Sequence, residues 1–140
     1  MAKILPFIIC CFLYIGCELD MSVPAEKPTL TGTDWQLQFF AEDGKMLLPA
    51  GDQLYEILFE TDSTYSGRND CNTFIGEYKT GADQSIEFIS FATTKIYCGD
   101  SSWDARFNRA IQSARYYAIK GCNLVLKDDR NVLLVFRKQE

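Results

Sequence analysis

The order of apolar and polar residues along the chain predicts mainly short β-strands. Residues 34–40, DWQLQFF, place Trp35, Leu37 and Phe39 two residues apart, as in a strand with one buried face. Residues 41–51 are rich in turn-forming types and predict a loop or a hairpin connection. Similar short segments predict further strands at residues 53–60, 64–66, 72–78, 85–91, 116–120, 123–127 and 132–137.

One segment has the period of an amphipathic helix instead. Ser101 or Ser102 can cap its start, and Asp104 would lie in its first turn. Its apolar positions recur every three to four residues, at Trp103, Phe107, Ala110, Ile111 and Ala114. Five strands, this helix and three more strands predict a mostly β (α+β) domain. We expect a small curled antiparallel sheet or open barrel of about seven to eight strands with one packed helix.

The N-terminus, MAKILPFIICCFLYIGC, is a short apolar stretch that ends in a cysteine. Lys3 supplies a positive charge, an apolar run covers residues 4–15, and the small residue Gly16 precedes Cys17. This layout is typical of a bacterial lipoprotein signal peptide with Cys17 as the acylated residue. A membrane-spanning helix needs about 20 apolar residues, and an ordinary signal peptide ends in an Ala-x-Ala-like site. Both alternatives therefore fit less well.

Acylation at Cys17 would anchor the protein to a membrane. Each buried methylene contributes about 0.8 kcal/mol, so two or three acyl chains make a stable anchor. The predicted divisions are a signal peptide at 1–16, the lipidated cysteine and a flexible tether at 17–31, and one domain at 32–140. The tether is expected because its sequence contains two prolines and no apolar period. We expect the protein in the bacterial cell envelope, at the outer membrane or the periplasmic face.

Composition excludes several classes of function. The 140-residue chain has a net charge of −5, which becomes −6 when the signal peptide and its one lysine are removed. Nucleic acid is therefore not expected as a partner. The chain contains no histidine, which excludes Ser-His-Asp and Cys-His catalysis and deprives a conventional zinc site of its usual ligand. We expect no catalytic residue, metal or cofactor, and we expect a monomer.

Three cysteines lie beyond the predicted signal and anchor, at positions 71, 98 and 122. Disulfides persist in an oxidising envelope compartment, and three cysteines allow one bridge and one remaining thiol. A bridge from Cys71 to Cys98 would close a loop of about 28 residues and contribute about 3–4 kcal/mol on the chain-entropy model. Cys122 would then be buried as a small apolar residue.

Several motifs occur in the order seen in META-domain proteins. Residues 30–37, LTGTDWQL, resemble the opening L-x-G-T-x-W-x-L. Residues 71–78, CNTFIGEY, resemble G-C-N-x-x-x-G-x-Y with Asp70 in place of the first glycine, and residues 93–98, TTKIYC, are similar to T-T-x-M-x-C. With the apolar strands that follow the helix, the chain resembles the META-domain, HslJ-like heat-shock lipoprotein family over residues 30–137.

The resemblance implies a compact β-rich envelope domain, often lipid-anchored and linked to stress, but it lends little mechanism. It favours a disulfide between Cys71 and Cys98, since both occupy family motif positions. A bridge that involves Cys122 is the alternative.

The aromatic residues Trp35, Tyr78 and Trp103 are expected either in the core or at the mouth of the barrel, where they would form a candidate binding surface.

Two classes of function follow. The first is a non-catalytic accessory lipoprotein that binds another envelope protein or component. A protruding acidic or tyrosine-bearing loop would favour one subtype, an inhibitor of a wall-degrading enzyme. The second is a binder of a small hydrophobic ligand or acyl chain, since 47% of the residues are hydrophobic. Whether Trp103, Phe107 and Ile111 fill the barrel distinguishes the two. An enzyme would need a clustered carboxylate pair.

Overall fold

A computed structural model describes residues 26–49 and 54–140. Within these ranges the chain forms ten strands and one helix. The elements are β1 (Trp35–Glu42), β2 (Lys45–Leu47), β3 (Glu56–Phe59), β4 (Thr64–Arg68), β5 (Thr73–Thr80), β6 (Ile86–Phe88), β7 (Ala92–Thr93), α1 (Asp104–Ser113), β8 (Tyr116–Lys120), β9 (Asn123–Lys127) and β10 (Val132–Lys138). No helix of the described segments is both long and apolar enough to cross a membrane.

Eight strands form a curved antiparallel sheet in the order β6-β5-β4-β3-β1-β10-β9-β8, while β2 pairs with β1 and β7 with β5. The sheet is nearly closed, because β6 and β8 meet at a short seam. There the Ile86 amide donates to the Arg115 carbonyl at 2.8 Å, and the Tyr117 amide donates to the Gln84 carbonyl at 3.0 Å. The predicted mostly β architecture, a small barrel-like sheet with one helix, is confirmed.

Two details of the strand prediction differ from the structure. Trp35 and Leu37 are buried as expected, but Phe40 is buried in place of Phe39. The pairing of β1 with β10 shifts between Leu37 and Phe39, and such a bulge inserts one residue and reverses the alternation of faces. The expected strand at residues 85–91 is also wrong in extent, because pairing with β5 ends at Phe88.

Helix α1 packs its apolar face into the barrel. Phe107 and Ile111 are fully buried, as the apolar stripe predicted. The helix begins after Trp103, which is its N-cap and provides no side-chain bond. The Ser102 hydroxyl nevertheless accepts a hydrogen bond from the Asp104 amide at 3.1 Å. One of the two predicted serines therefore contributes to the helix start from the position before the N-cap.

The barrel interior is filled with aromatic rings. The Phe107 ring lies 5.1 Å from that of Tyr55 and 5.9 Å from that of Phe74, between ring centroids. On the other side, Tyr65 packs edge-on against Phe88 at 5.0 Å. Such offset and edge-to-face pairs add to the stabilisation from burial. The space that an interior ligand would need is therefore occupied by side chains.

The folded domain begins before residue 32. Leu30 is buried, and its carbonyl accepts a hydrogen bond from the Trp35 indole at 3.1 Å. Thr31 forms a parallel bridge with Phe59. These two residues therefore belong to the domain rather than to the tether expected over residues 17–31. The predicted signal peptide and Cys17 lie outside the described residues.

The close approach of β3 and β4 requires glycine at position 67. A Cβ atom there would meet the Glu56 carbonyl oxygen and the Phe74 ring. We expect Gly67→Ala to lower the free energy of unfolding by about 3 kcal/mol, because overpacking displaces the backbone. Ser66→Ala on the same strand should change it by less than about 0.5 kcal/mol. Urea unfolding measures both, and equal midpoints for the two variants would contradict this account.

Candidate functional site

Residues 94–102 connect β7 to α1 and form a loop held by a disulfide; we call this segment the Cys98 loop. Cys98 is bonded to Cys71, and their Cα atoms lie 5.7 Å apart. The bridge is the one that the family motifs favoured. Cys122 is only half-buried and is not free. The expectation of a fully buried, remaining thiol at position 122 is therefore wrong.

Besides the disulfide, the buried side chain of Asn72 holds the Cys98 loop in place. Its Oδ1 accepts hydrogen bonds from the Thr94 hydroxyl at 2.7 Å and from the Ile96 amide at 2.9 Å. Its Nδ2 lies 3.3 Å from the Ile96 carbonyl oxygen and 3.3 Å from Asp104 Oδ1. The amide thus bonds to the loop as both acceptor and donor. It joins the loop to the same turn as the disulfide, and its Nδ2 also lies 3.3 Å from Cys98 Sγ.

Asn69 joins the same turn to the start of the helix. Its Oδ1 accepts hydrogen bonds from the Cys71 and Asn72 amides at 3.0 and 2.7 Å. Its Nδ2 donates to Asp104 Oδ1 at 2.5 Å and to Asn108 Oδ1 at 3.1 Å. The local Asn turn and the helix are therefore connected through largely buried, hydrogen-bonded side chains.

Asp70, which departs from the family motif, has a structural role of its own. Its Oδ2 accepts a hydrogen bond from the Trp103 amide at 2.9 Å, at the N-terminal end of α1. A carboxylate there is favourable, because helix N-termini carry partial positive charge. Burial raises the pKa of the nearby Tyr55 hydroxyl far above its usual value, and the negative charge of Asp70 adds to the effect. Tyr55 therefore stays neutral in the folded protein.

The Cys98 loop presents two large apolar side chains to solvent. Tyr97 is 85% exposed and Ile96 is 62% exposed. Two further exposed isoleucines are associated with β5: Ile75, 62% exposed, belongs to this strand and pairs with Ala92, and Ile89, 52% exposed, donates its amide to the Glu77 carbonyl. We call Ile75, Ile89, Ile96 and Tyr97 the apolar strip. At the Tyr97 end of the strip, the tyrosine hydroxyl donates a hydrogen bond to Asp100 Oδ1 at 3.2 Å.

The predicted aromatic surface does not form. Trp35 and Tyr78 are buried, with Tyr78 donating its hydroxyl proton to the Glu60 carbonyl at 2.9 Å. Trp103 is half-buried against Phe40, with 5.8 Å between ring centroids. Trp35 and Tyr78 therefore belong to the core. Sequence reasoning missed Tyr97 as a surface residue, although it lies inside the motif that ends at Cys98.

A cleft lies at the seam between β6 and β8. It encloses about 590 Å³ and is lined mainly by polar and charged side chains, among them Lys79, Glu87, Arg115 and Asp129. This volume suits a small ligand, but the lining does not suit an acyl chain. In residues 26–49 and 54–140, no group of three or more His, Cys, Asp or Glu side chains could hold a metal.

The two roles of Asn72 can be separated by substitution. Asn72→Asp keeps the acceptor for Thr94 and Ile96 but replaces the donor with a carboxylate oxygen facing Asp104. We expect a loss of about 2–3 kcal/mol in the free energy of unfolding at pH 7. Repulsion raises the folded-state pKa of the paired carboxyls, so the loss should shrink as the pH falls towards 4.

Urea unfolding at the two pH values measures this effect. Asn123→Asp, at an exposed position of β9 opposite Arg137 and Lys120, is the matched control and should show no such pH-dependent loss. An Asn72→Asp variant as stable as the wild type at pH 7 would show that the amide donor contributes nothing.

The sequence model of the META domain family matches residues 28–140. No curated protein matches the chain. Among solved structures, the fold is similar to that of a DUF4847 family protein from Bacteroides vulgatus ATCC 8482, with 17% identity, a TM-score of 0.60 and coverage of 79% of this chain and 96% of that chain.

A structure determined by NMR is also similar, with 19% identity, a TM-score of 0.56 and coverage of 75% of this chain and 87% of that chain. At such identities these similarities show a common fold. The family model, in contrast, covers the barrel, the helix and the Cys98 loop together. This chain belongs to the META domain family.

Proposed function

We propose that this META-domain protein is a lipid-anchored protein of the bacterial cell envelope that binds another envelope protein, without catalysis, through the apolar strip. One observation carries the binding proposal. Tyr97 is 85% exposed on a loop that the disulfide and the Asn72 amide hold in place.

The apolar strip is suited to binding a partner at a low cost in conformational entropy. Large apolar side chains that are exposed together mark interaction sites, and tyrosine is enriched among the residues that dominate binding energy. A loop already fixed in one shape loses little conformational entropy when a partner binds. A protruding tyrosine-bearing loop also suits an inhibitor of a wall-degrading enzyme, which is a subtype of the same function.

An interior ligand is less well supported. Phe107 and Ile111 are fully buried in the barrel, and the rings around Phe107 lie within 6.2 Å of it between centroids. An acyl chain could enter only by displacing these side chains. The polar cleft at the seam does not replace that cavity. The exposed strip is therefore the surface on which the proposal rests.

The anchor is tested by labelling the full chain in a bacterium with an alkyne fatty acid. We expect the wild-type protein to carry the label and to sediment with membranes, because Cys17 is acylated. Cys17→Ser should lose the label and leave the membrane fraction. Cys11→Ser, in the predicted signal peptide, is the matched control and should keep both properties. Label retained by Cys17→Ser would contradict the anchor.

Binding is tested with a photo-crosslinking amino acid at position 97 of the full chain in cells. We expect one discrete protein adduct, which is identified by mass spectrometry and then purified. Tyr97→Ala should weaken the affinity for that protein about 30-fold, corresponding to about 2 kcal/mol for a dominant contact.

Leu48→Ser is the matched control, because Leu48 is 67% exposed but lies outside the strip. Its affinity should equal that of the wild type. If Tyr97→Ala and Leu48→Ser bind equally well, the strip is not the binding surface.

A further inference from the structure

We infer that the outer face of strands β1, β10, β9 and β8 is a second binding surface, which docks on a bilayer that contains anionic phospholipids. This docking rests on the lipid anchor of the proposed function but not on the apolar strip. The charge of the last three strands, their register and the pairing of their backbones all support it.

The last three strands of the chain are basic, although the protein as a whole is acidic. Together β8, β9 and β10 contain Lys120, Lys127, Arg137 and Lys138 and no acidic residue, so their net charge is +4. The chain after residue 16 carries −6, and the remainder of it therefore carries −10. Such an asymmetry of charge turns one side of a molecule towards an anionic surface and the other side away from it.

The strand register places an apolar row in the middle of this outer face, because directly paired residues share a face of the sheet. Phe39, Val135, Val125 and Ala118 are successive partners across β1, β10, β9 and β8. Phe39 is 38% exposed, and the other three side chains are half-buried. Leu134, next to Val135 in β10, is fully buried, so the row faces outwards.

Cations flank the apolar row on both sides. On one side, Arg137 and Lys120 are both paired with Asn123, and all three side chains are exposed. On the other side, the exposed Lys127 is paired with Tyr116, and its Nζ lies 5.7 Å from the centroid of that ring. We call the apolar row and these flanking residues the basic face.

The acidic side chains at the borders of the basic face have partners elsewhere. Asp128, in the turn after β9, accepts hydrogen bonds from the Arg130 and Asn131 amides at 2.8 and 2.6 Å. At the opposite border, Glu56 forms an ion pair with Arg68 at 2.8 Å. Within residues 26–49 and 54–140, none of the three cations of the basic face forms an ion pair. Their charges therefore remain available to an anionic partner.

An anionic bilayer is the partner that fits this arrangement. Lysine and arginine can lay their apolar stems along the row while their charged ends reach phosphate groups, and tyrosine suits the interface between headgroups and acyl chains. In contrast, β9 and β10 are each paired with a strand on both sides, so the middle of the face offers no open edge to an extended peptide. Recognition by charge and apolar contact, without main-chain hydrogen bonds, matches a fluid lipid surface.

Energy transfer from the lipidated full chain tests this docking. The protein is placed in vesicles of phosphatidylethanolamine and phosphatidylglycerol, or of phosphatidylcholine alone, and both kinds contain an acceptor-labelled lipid. A fluorescent amino acid replaces Asn123 on the basic face or Thr73, an exposed residue of β5, which lies opposite β10 across the barrel. We expect stronger transfer from position 123 in the anionic vesicles. The two positions should give equal transfer in neutral vesicles or in concentrated salt, which screens the charges.

Removal of the three cations measures their contribution to docking. Each Lys or Arg near an anionic membrane strengthens binding about fivefold. The triple variant Lys120→Gln, Lys127→Gln and Arg137→Gln should therefore lower the equilibrium constant for docking roughly 100-fold. Circular dichroism and urea unfolding check that the variant keeps its fold.

The matched control removes the same charge from exposed positions outside the basic face, with Lys79→Gln, Lys95→Gln and Arg109→Gln. It should dock like the wild type. Equal transfer from positions 123 and 73 in the anionic vesicles would overturn the inference. Equal weakening of docking by both triple variants would overturn it too, because net charge rather than the basic face would then be responsible.

A photo-crosslinking amino acid at position 123 in cells tests the alternative partner. A discrete adduct with an acidic protein, together with no docking on anionic vesicles, would assign the basic face to that protein and overturn the inference. Loss of the protein from every vesicle would overturn the anchor and the inference with it. Normal docking, combined with normal partner binding by Tyr97→Ala, would overturn the role of the apolar strip and leave the basic face supported.

Discussion

The end of the barrel that carries the Cys98 loop depends on the hydrogen bonds made by the side-chain amide of Asn72. It joins three segments that are distant in sequence: the turn after β4, the Cys98 loop and the first turn of α1. A buried amide can do this because it offers both a donor and acceptors, and because leaving either unpaired would be costly. The disulfide next to it ties the same turn to the same loop. The bond from Asn72 to Asp104 also fixes the position of helix α1 in the barrel.

Because core side chains fill the interior of the barrel, the apolar side chains that remain for recognition lie on its outer surface. The helix contributes Phe107 and Ile111 to the core of aromatic rings and branched side chains. This core fills the interior of the barrel. The features that remain for recognition are on the outside. Ile75, Ile96 and Tyr97 contribute little to the barrel's own packing, since most of their surface is in water.

Much of the fold could be predicted from the sequence, because alternation and helical period are local properties. Trp35, Leu37, Phe107 and Ile111 are buried as their spacing indicates. The alternation places Phe39 on the buried face, where the structure has Phe40, because a bulge depends on the partner strand. The site could not be predicted in the same way. Tyr97 lies in a loop without period, and its exposure is set by contacts with a turn 25 residues away. The predicted acylation site, Cys17, lies outside the described residues.

The way in which the Cys98 loop is attached separates folding from recognition. Neither attachment uses the side chains of Ile96 or Tyr97: Asn72 bonds the Thr94 hydroxyl and the backbone of Ile96, and the disulfide bonds Cys98. The side chains of Ile96 and Tyr97 make no contribution to the core. They can therefore be exchanged by mutation while the barrel keeps its stability. A domain built in this way can acquire new partners over evolutionary time without first finding a new fold.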